Sequence, residues 1–244
     1  MIIAYAKSDV GKVREMNQDS YYISDSLSEV KLYLLADGMG GYKGGEIASN
    51  LAIKCARSYI ENNFKETPKD RQSLIQLVAS SMEYANMVVY EKSKEDKELE
   101  GMGTTLEVCL IYNNKAYIGH IGDSRIYRIR KDFIRKLTQD HSYVQKLVKD
   151  GTITKEEAEH HPKKNMLMKA LGCNAFVEPD VSVKGFLRED ILLMTSDGLT
   201  NMVKQEDIFK IAKGNIEKAP IKVVELANEN GGLDNITVVV IKNI

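Results

Sequence analysis

Four aspartates stand where short apolar runs stop or begin: Asp37 after VKLYLLA, Asp123 after KAYIGHIG, Asp197 after ILLMTS, and Asp234 just before NITVVVI. In an antiparallel sheet the start of one strand lies beside the end of its neighbour, so four such positions can converge on one edge. Two carboxylates about 5 Å apart repel by roughly 3 kcal/mol at an effective dielectric near 20. A converged set therefore needs a cation, and all-oxygen ligands select hard divalent ions such as Mg²⁺ or Mn²⁺ over zinc or copper. Two ions held roughly 3.5 to 4 Å apart can activate a shared water and neutralise a phosphoryl group during in-line attack, so a phosphate ester suits the pattern as substrate. Taken singly, each Asp-Gly is far more often a turn signal. The repetition at four strand ends is what points to a site.

The densest stretch is LLADGMGGYKGGEIAS, residues 34–49, in which five of the eight residues after Asp37 are glycine. Ordering glycine costs roughly 0.5 to 1 kcal/mol more than ordering alanine in a regular element, so a close approach to this backbone is expected. Two readings are open: a phosphate nest at a helix N-terminus, or a loop that bares Asp37. Neither GxxxxGK[ST] nor a complete GxGxxG is present.

Short β-type runs dominate the elements that must position these acids: IIAYAKSDVG, SYYIS, VKLYLLADG, TTLEVCLIY, KAYIGHIGD, SRIYRIR, ILLMTSDG and NITVVVIKNI. Residues 104–137 read as a meander with tight turns at Asn113-Asn114 and Lys131-Asp132. Ile47, Leu51, Cys55 and Tyr59, beside Ala48, Ala52 and Ala56, give one helix starting inside the glycine loop. A second helix is expected over Arg71 to Lys94. Residues 141–165 form a polar helical flap, in which Thr154 and Glu157 have capping-box spacing. QEDIFKIAK and PIKVVELANENGG read as short helices before the final strand. The fold class is an α/β sandwich with antiparallel sheets inside and helices outside.

The 244 residues contain no Pro/Gly/Ser-rich linker, so one domain spanning 1–244 is expected. Lys plus Arg (34) nearly cancel Asp plus Glu (35), which removes any bulk-charge case for nucleic acid. No run approaches 18 apolar residues and no leader pattern opens the chain, so a cytoplasmic location without a membrane segment is expected. Cys55, Cys109 and Cys173 lack CxxC spacing and read as reduced, small core residues.

The chain resembles the metal-dependent, type 2C serine/threonine protein phosphatases in their compact bacterial form. The matching stretches occur in family order: VREMNQDS (13–20), ADGMGG (36–41), GMGTT (101–105), GDSR (122–125), SDGLT (196–200) and DNIT (234–237). The resemblance implies two packed antiparallel sheets flanked by antiparallel helix pairs, αββα, with the flap near the active site. It makes Asp37 the carboxylate bridging two metals and Gly38 a ligand through its backbone carbonyl. Asp197 and Asp234 complete the first metal's shell, Asp19 holds metal-bound water, and Asp123 with Asp197 forms a third, weaker site. Arg14 grips the substrate phosphate bidentately, as suits a guanidinium fork.

The implied reaction is attack of metal-bridged hydroxide on phosphorus, with two to three Mn²⁺ or Mg²⁺ ions and no phosphoenzyme. None of the three cysteines begins a Cys-x₅-Arg cradle and no GxSxG elbow occurs, which agrees. Implied partners are phosphorylated proteins and a cognate serine/threonine kinase, with the enzyme a monomer. A phosphatase dedicated to one regulatory phosphoprotein, and a phosphoprotein-binding pseudoenzyme, are the alternatives. The sequence departs from the family pattern at Gln18, where many relatives have glutamate, and at Tyr42, where many have histidine. Gln18 removes a negative charge from the outer shell of the second metal. His160 and His161 read as a solvated pair in the flap, His120 as a packed strand residue, and His141, within a family DHS stretch, as structural.

Overall fold

The computed structural model describes residues 1–95 and 97–244, with the side chains of Gly41 and Tyr42 outside the description. The Tyr42 departure therefore lies outside the described residues. In chain order the elements are β1 (Ile2–Asp9), β2 (Asp19–Ile23), β3 (Lys31–Met39), α1 (Gly41–Asn63), α2 (Arg71–Glu95), β4 (Gly103–Thr104), β5 (Leu106–Tyr112) and β6 (Lys115–Ile121). Then follow β7 (Arg125–Arg130), β8 (Phe133–Lys136), α3 (Tyr143–Lys149), α4 (Lys155–His160), β9 (Asp180–Gly185), β10 (Ile191–Thr195), α5 (Asp197–Thr200), α6 (Gln205–Ala212), α7 (Ala219–Glu229) and β11 (Ile236–Asn243).

Two sheets form, both antiparallel. One has the order β1-β11-β10-β7-β8, the other β2-β3-β5-β6-β9 with β4 paired to β3. Period-two alternation sends successive side chains to opposite faces, and both sheets use it to make three apolar layers. Tyr33 and Leu35 of β3 meet Val239 and Ile241 of β11 between the sheets. Leu32, Leu34 and Ala36 instead face α1 and α2. Val238 and Val240 face the helices α6 and α7 on the other side. Helices thus cover both outer faces, as the αββα expectation has it.

The turn at Asn113-Asn114 is left-handed at both residues (φ 44° and 57°), the geometry a two-residue hairpin prefers. Thr154 and Glu157 make the reciprocal capping box at the start of α4. Three expectations need correction. β9 falls outside the β-type runs read from the sequence, because DVSVKG is half-polar and forms the sheet edge beside β6. Cys173 is exposed, whereas Cys55 and Cys109 are buried. Asp37 lies within β3 two residues from its end, and Asp197 begins α5 after β10 has stopped.

Candidate active site

Register explains why the acids meet. β2 pairs with β3 so that Asp19 sits opposite Asp37. On the other flank of β3, Thr105 just ahead of β5 donates its N–H to the Asp37 carbonyl (2.9 Å), and its Oγ1 accepts the Asp37 N–H (3.0 Å). Leu106 pairs with Ile121, so the end of β6 arrives at the same edge. Gly122, Asp123 and Ser124 then cross from this sheet to β7 in the other. There Arg125 pairs with Thr195, and Thr195 with Val238, which brings the end of β10 and the start of β11 together.

The two edges are joined by side chains. Ser196 Oγ donates to Asp19 Oδ2 (2.8 Å), and the Gln18 N–H donates to Asn235 Oδ1 (2.8 Å). Asn201 Nδ2 holds Asp197 Oδ2 (3.0 Å). Arg14 Nη2 donates to Asp234 Oδ2 (2.9 Å), so the arginine singled out beside the acids is at their rim. Ser196, Thr105 and Asn235 lie inside the SDGLT, GMGTT and DNIT stretches, and Asn201 directly follows the first of these, but the sequence assigns none of them a role, since the partner of a hydroxyl or amide is visible only once two distant strands are paired.

The electrostatics are those of crowded like charges. Burial, followed by Asp19, Asp197, Asp123 and Asp234, pushes the Asp37 carboxyl well above the usual carboxylate range. Burial raises Asp19 to about 7 against the opposing hydrogen bonds of Thr237 and Ser196. Asp123 is raised to about 7 by burial and then by Asp197 and Asp140. Asp197 is raised by burial and then by Asp234. Such an edge favours protons or cations.

The residues fit a divalent cation. Their donors are all oxygen, and Asp19 Oδ1 is buried with no hydrogen-bond partner, an orphan that bound water or an ion would satisfy. Among the described residues no three His, Cys, Asp or Glu side chains close around one metal position. A Cβ on Gly38 would overlap the carbonyl oxygens of Gly45 and Gln18, which explains why the acid is followed by glycine. The Gln18 backbone carbonyl accepts from Gly38 N–H (3.2 Å) and Ser49 Oγ (2.6 Å), and its side chain lies against Gly45. Gly44 and Gly45 are already inside α1.

A cavity of about 990 Å³ opens from Asp123 and Asp197, passes Asn201, and runs between α3–α4 and α6, where Lys155, Lys164 and Lys204 line it. His160 also lines it, while the His161 Nδ1 accepts from Lys163 N–H (3.1 Å). His120 is not merely packed. It is paired with the fully buried Glu107 through Nδ1 (2.7 Å) and with the Gln139 carbonyl through Nε2 (2.8 Å). No helix among the described residues is long and apolar enough to cross a membrane.

Residues 12–218 match the family model described as protein phosphatase 2C. The protein phosphatase PhpP of Streptococcus pneumoniae is 38% identical over 239 residues, covering 96% of this chain and 94% of that protein. The S. agalactiae serine/threonine phosphatase superposes with TM-score 0.92 at 35% identity, covering 100% of each chain. The catalytic domain of the phosphatase PstP, solved with two manganese ions, gives 0.86 at 35% identity, over 99% of this chain and 97% of that one. With the acid edge, the glycine corner and the sandwich all in register, the chain belongs to the protein phosphatase 2C family.

Proposed function

We propose that this chain is a metal-dependent protein phosphatase that hydrolyses the monoesters of phosphoserine and phosphothreonine, opposing a cognate serine/threonine kinase. The observation that carries the reading is the edge of five half-buried aspartates, in which burial and mutual repulsion lift Asp37 well above its usual range. A chain without use for cations has no physical reason to hold such an edge together. Asp37, the Gly38 carbonyl, Asp197 and Asp234 are the ligand set for two ions, Mn²⁺ or Mg²⁺. Asp19 and Gln18 shape the shell behind them, and Asp123 with Asp197 offers a third position. When bound, the ions supply an activated water and offset the charge of the phosphoryl group.

The chain's own residues do the rest. Thr105 fixes Asp37 from both sides of its peptide, Ser196 orients Asp19, and Asn201 orients Asp197. Arg14 meets the phosphate with a planar fork of five N–H donors, of which only Nη2 contacts Asp234. The phosphoprotein backbone enters along the cavity under residues 141–165, which act as a flap whose lysines screen sequences beside the phosphorylated residue. The whole chain works as one catalytic domain and as a monomer in the cytoplasm.

Hydrolysis of a phosphothreonine peptide and of an aryl phosphate, each with Mn²⁺, with Mg²⁺ and with a chelator, tests the reading. Turnover is expected only with a divalent ion and is expected to vanish in Asp37→Asn. Turnover in chelator, or full turnover by that variant, would overturn it.

A further inference from the structure

Asp123 hangs between two strands of different sheets, and its neighbours are fastened from one side by the segment 139–141. The His141 N–H donates to the Gly122 carbonyl (2.7 Å), and the Gly122 N–H donates back to His141 Nδ1 (3.1 Å). Because a backbone N–H can only donate, Nδ1 must be the bare nitrogen and the ring proton must sit on Nε2. That Nε2 faces Asp180 Oδ2 at 3.2 Å, and Asp180 is itself held by Lys169 (3.2 Å). Gly122 sits at φ +114°, where a side chain is strained and would also strike Thr105. The turn therefore needs outside support to keep its shape.

The same histidine closes the base of the flap. Its carbonyl accepts the Met168 N–H (2.7 Å), and the Tyr143 N–H reaches the Met166 carbonyl (2.8 Å), so the two ends of the flap are tied at His141. Behind it, the His120 ring stacks 4.5 Å away, pinned by buried Glu107 and by the Gln139 carbonyl. Asp140 adds bonds to Arg125 (2.7 Å) and Lys136 (3.0 Å). Gly122 and Arg125, on both sides of Asp123, are thus bonded to consecutive residues at the flap's root.

We propose that His141 is a positioning residue: oriented by Asp180, it grips both polar groups of Gly122, sets the direction of Asp123, and couples the flap's root to that carboxylate. The inference rests on Asp123 acting in the phosphatase reaction, and the experiment separates the two.

His141→Leu removes the grip, His141→Asn keeps an acceptor near the Nδ1 position, and Asp123→Asn serves as reference. Phosphopeptide kinetics and Mn²⁺ titration by calorimetry are measured for each single variant and for the double variant. Removal of a supporting outer-shell partner costs roughly 10- to 100-fold, so that loss is expected in kcat for His141→Leu, with KM within about twofold and partial recovery in His141→Asn. The weakest Mn²⁺ binding step should weaken while the tighter ones stay. In the Asp123→Asn background, His141→Leu should add less than about a twofold further loss, since coupled residues are not additive. An equal loss in both backgrounds, or unchanged kinetics and Mn²⁺ binding in His141→Leu, would overturn the proposal. If Asp123→Asn alone leaves turnover unchanged, the role of Asp123 fails instead, and the positioning role falls with it. Should His141→Leu not fold, Asp180→Asn takes its place, with a smaller kcat loss that must also disappear beside Asp123→Asn.

Discussion

Freed of cations, this protein should lose stability as pH rises from 5 to 8, opposite to the acid lability of most folded chains. Asp19 has a folded-state pKa of about 7 against an ordinary 3.8. Between those values the native chain binds more protons than the unfolded one, so the stability gradient with pH is negative. Stability from this group is full below pH 4, falls as pH approaches 7, and is flat above. One pKa unit corresponds to about 1.4 kcal/mol, so the two units between pH 5 and 7 give at most about 3 kcal/mol, and solvent screening at a half-buried carboxyl lowers this to about 2 kcal/mol. Asp37 and Asp123 push in the same direction, but acids in one shared field release protons as a set and their effects do not add. For a chain of this size about 2 kcal/mol lowers the melting temperature by about 4 to 8 °C.

The assay is calorimetry in chelator at pH 5, 6, 7 and 8, comparing wild type with Asp19→Asn. Glu107, also raised to about 7 by burial, contributes a slope of the same sign to both proteins and cancels in the difference. With saturating Mn²⁺ the slope should flatten, because a bound cation replaces the protons. A stability that rises from pH 5 to 8 in chelator, or a slope equal in wild type and Asp19→Asn, would refute the reasoning.

Three further outcomes are expected. Asp123→Asn should keep the two tighter metal-binding steps but slow turnover by roughly 10-fold or more; an unchanged rate removes the third position from the account. Gln18→Glu should tighten one Mn²⁺ step by restoring a negative charge beside Gly45 and the Asp37 corner, and superimposable titrations of the two proteins would count against this. Arg130→Ala leaves Asp190, which is 2% exposed, with the Leu187 N–H (2.6 Å) in place of the arginine fork, so it should cost about 1 to 3 kcal/mol in urea unfolding without altering KM; an unchanged unfolding midpoint would contradict it.

Asp37, Asp123, Asp197 and Asp234 were legible in the sequence because each stands where an apolar run stops or begins, whereas Asp19 was reached only through the family resemblance. The sandwich was legible from the runs themselves: Leu32 to Ala36 and Val238 to Ile241 are apolar on both faces, as strands buried between a second sheet and a helix layer must be. The supports were not. Ser196 reaches Asp19 across 177 residues, Asn235 reaches Gln18 across 217, and His120 pairs with Glu107 through the register of β5 with β6. A serine, an asparagine or a histidine in an apolar run announces burial but not its partner, since partner choice is fixed by strand order and not by local spacing. β9 escaped because an edge strand has only one neighbour and keeps polar residues such as Lys184 and Ser182. Yet β9 carries Asp180, which orients His141 and through it the turn before Asp123. The carboxylates that would meet the ions are thus written locally, while the geometry that aims them is held by residues whose roles exist only after the sheets have assembled.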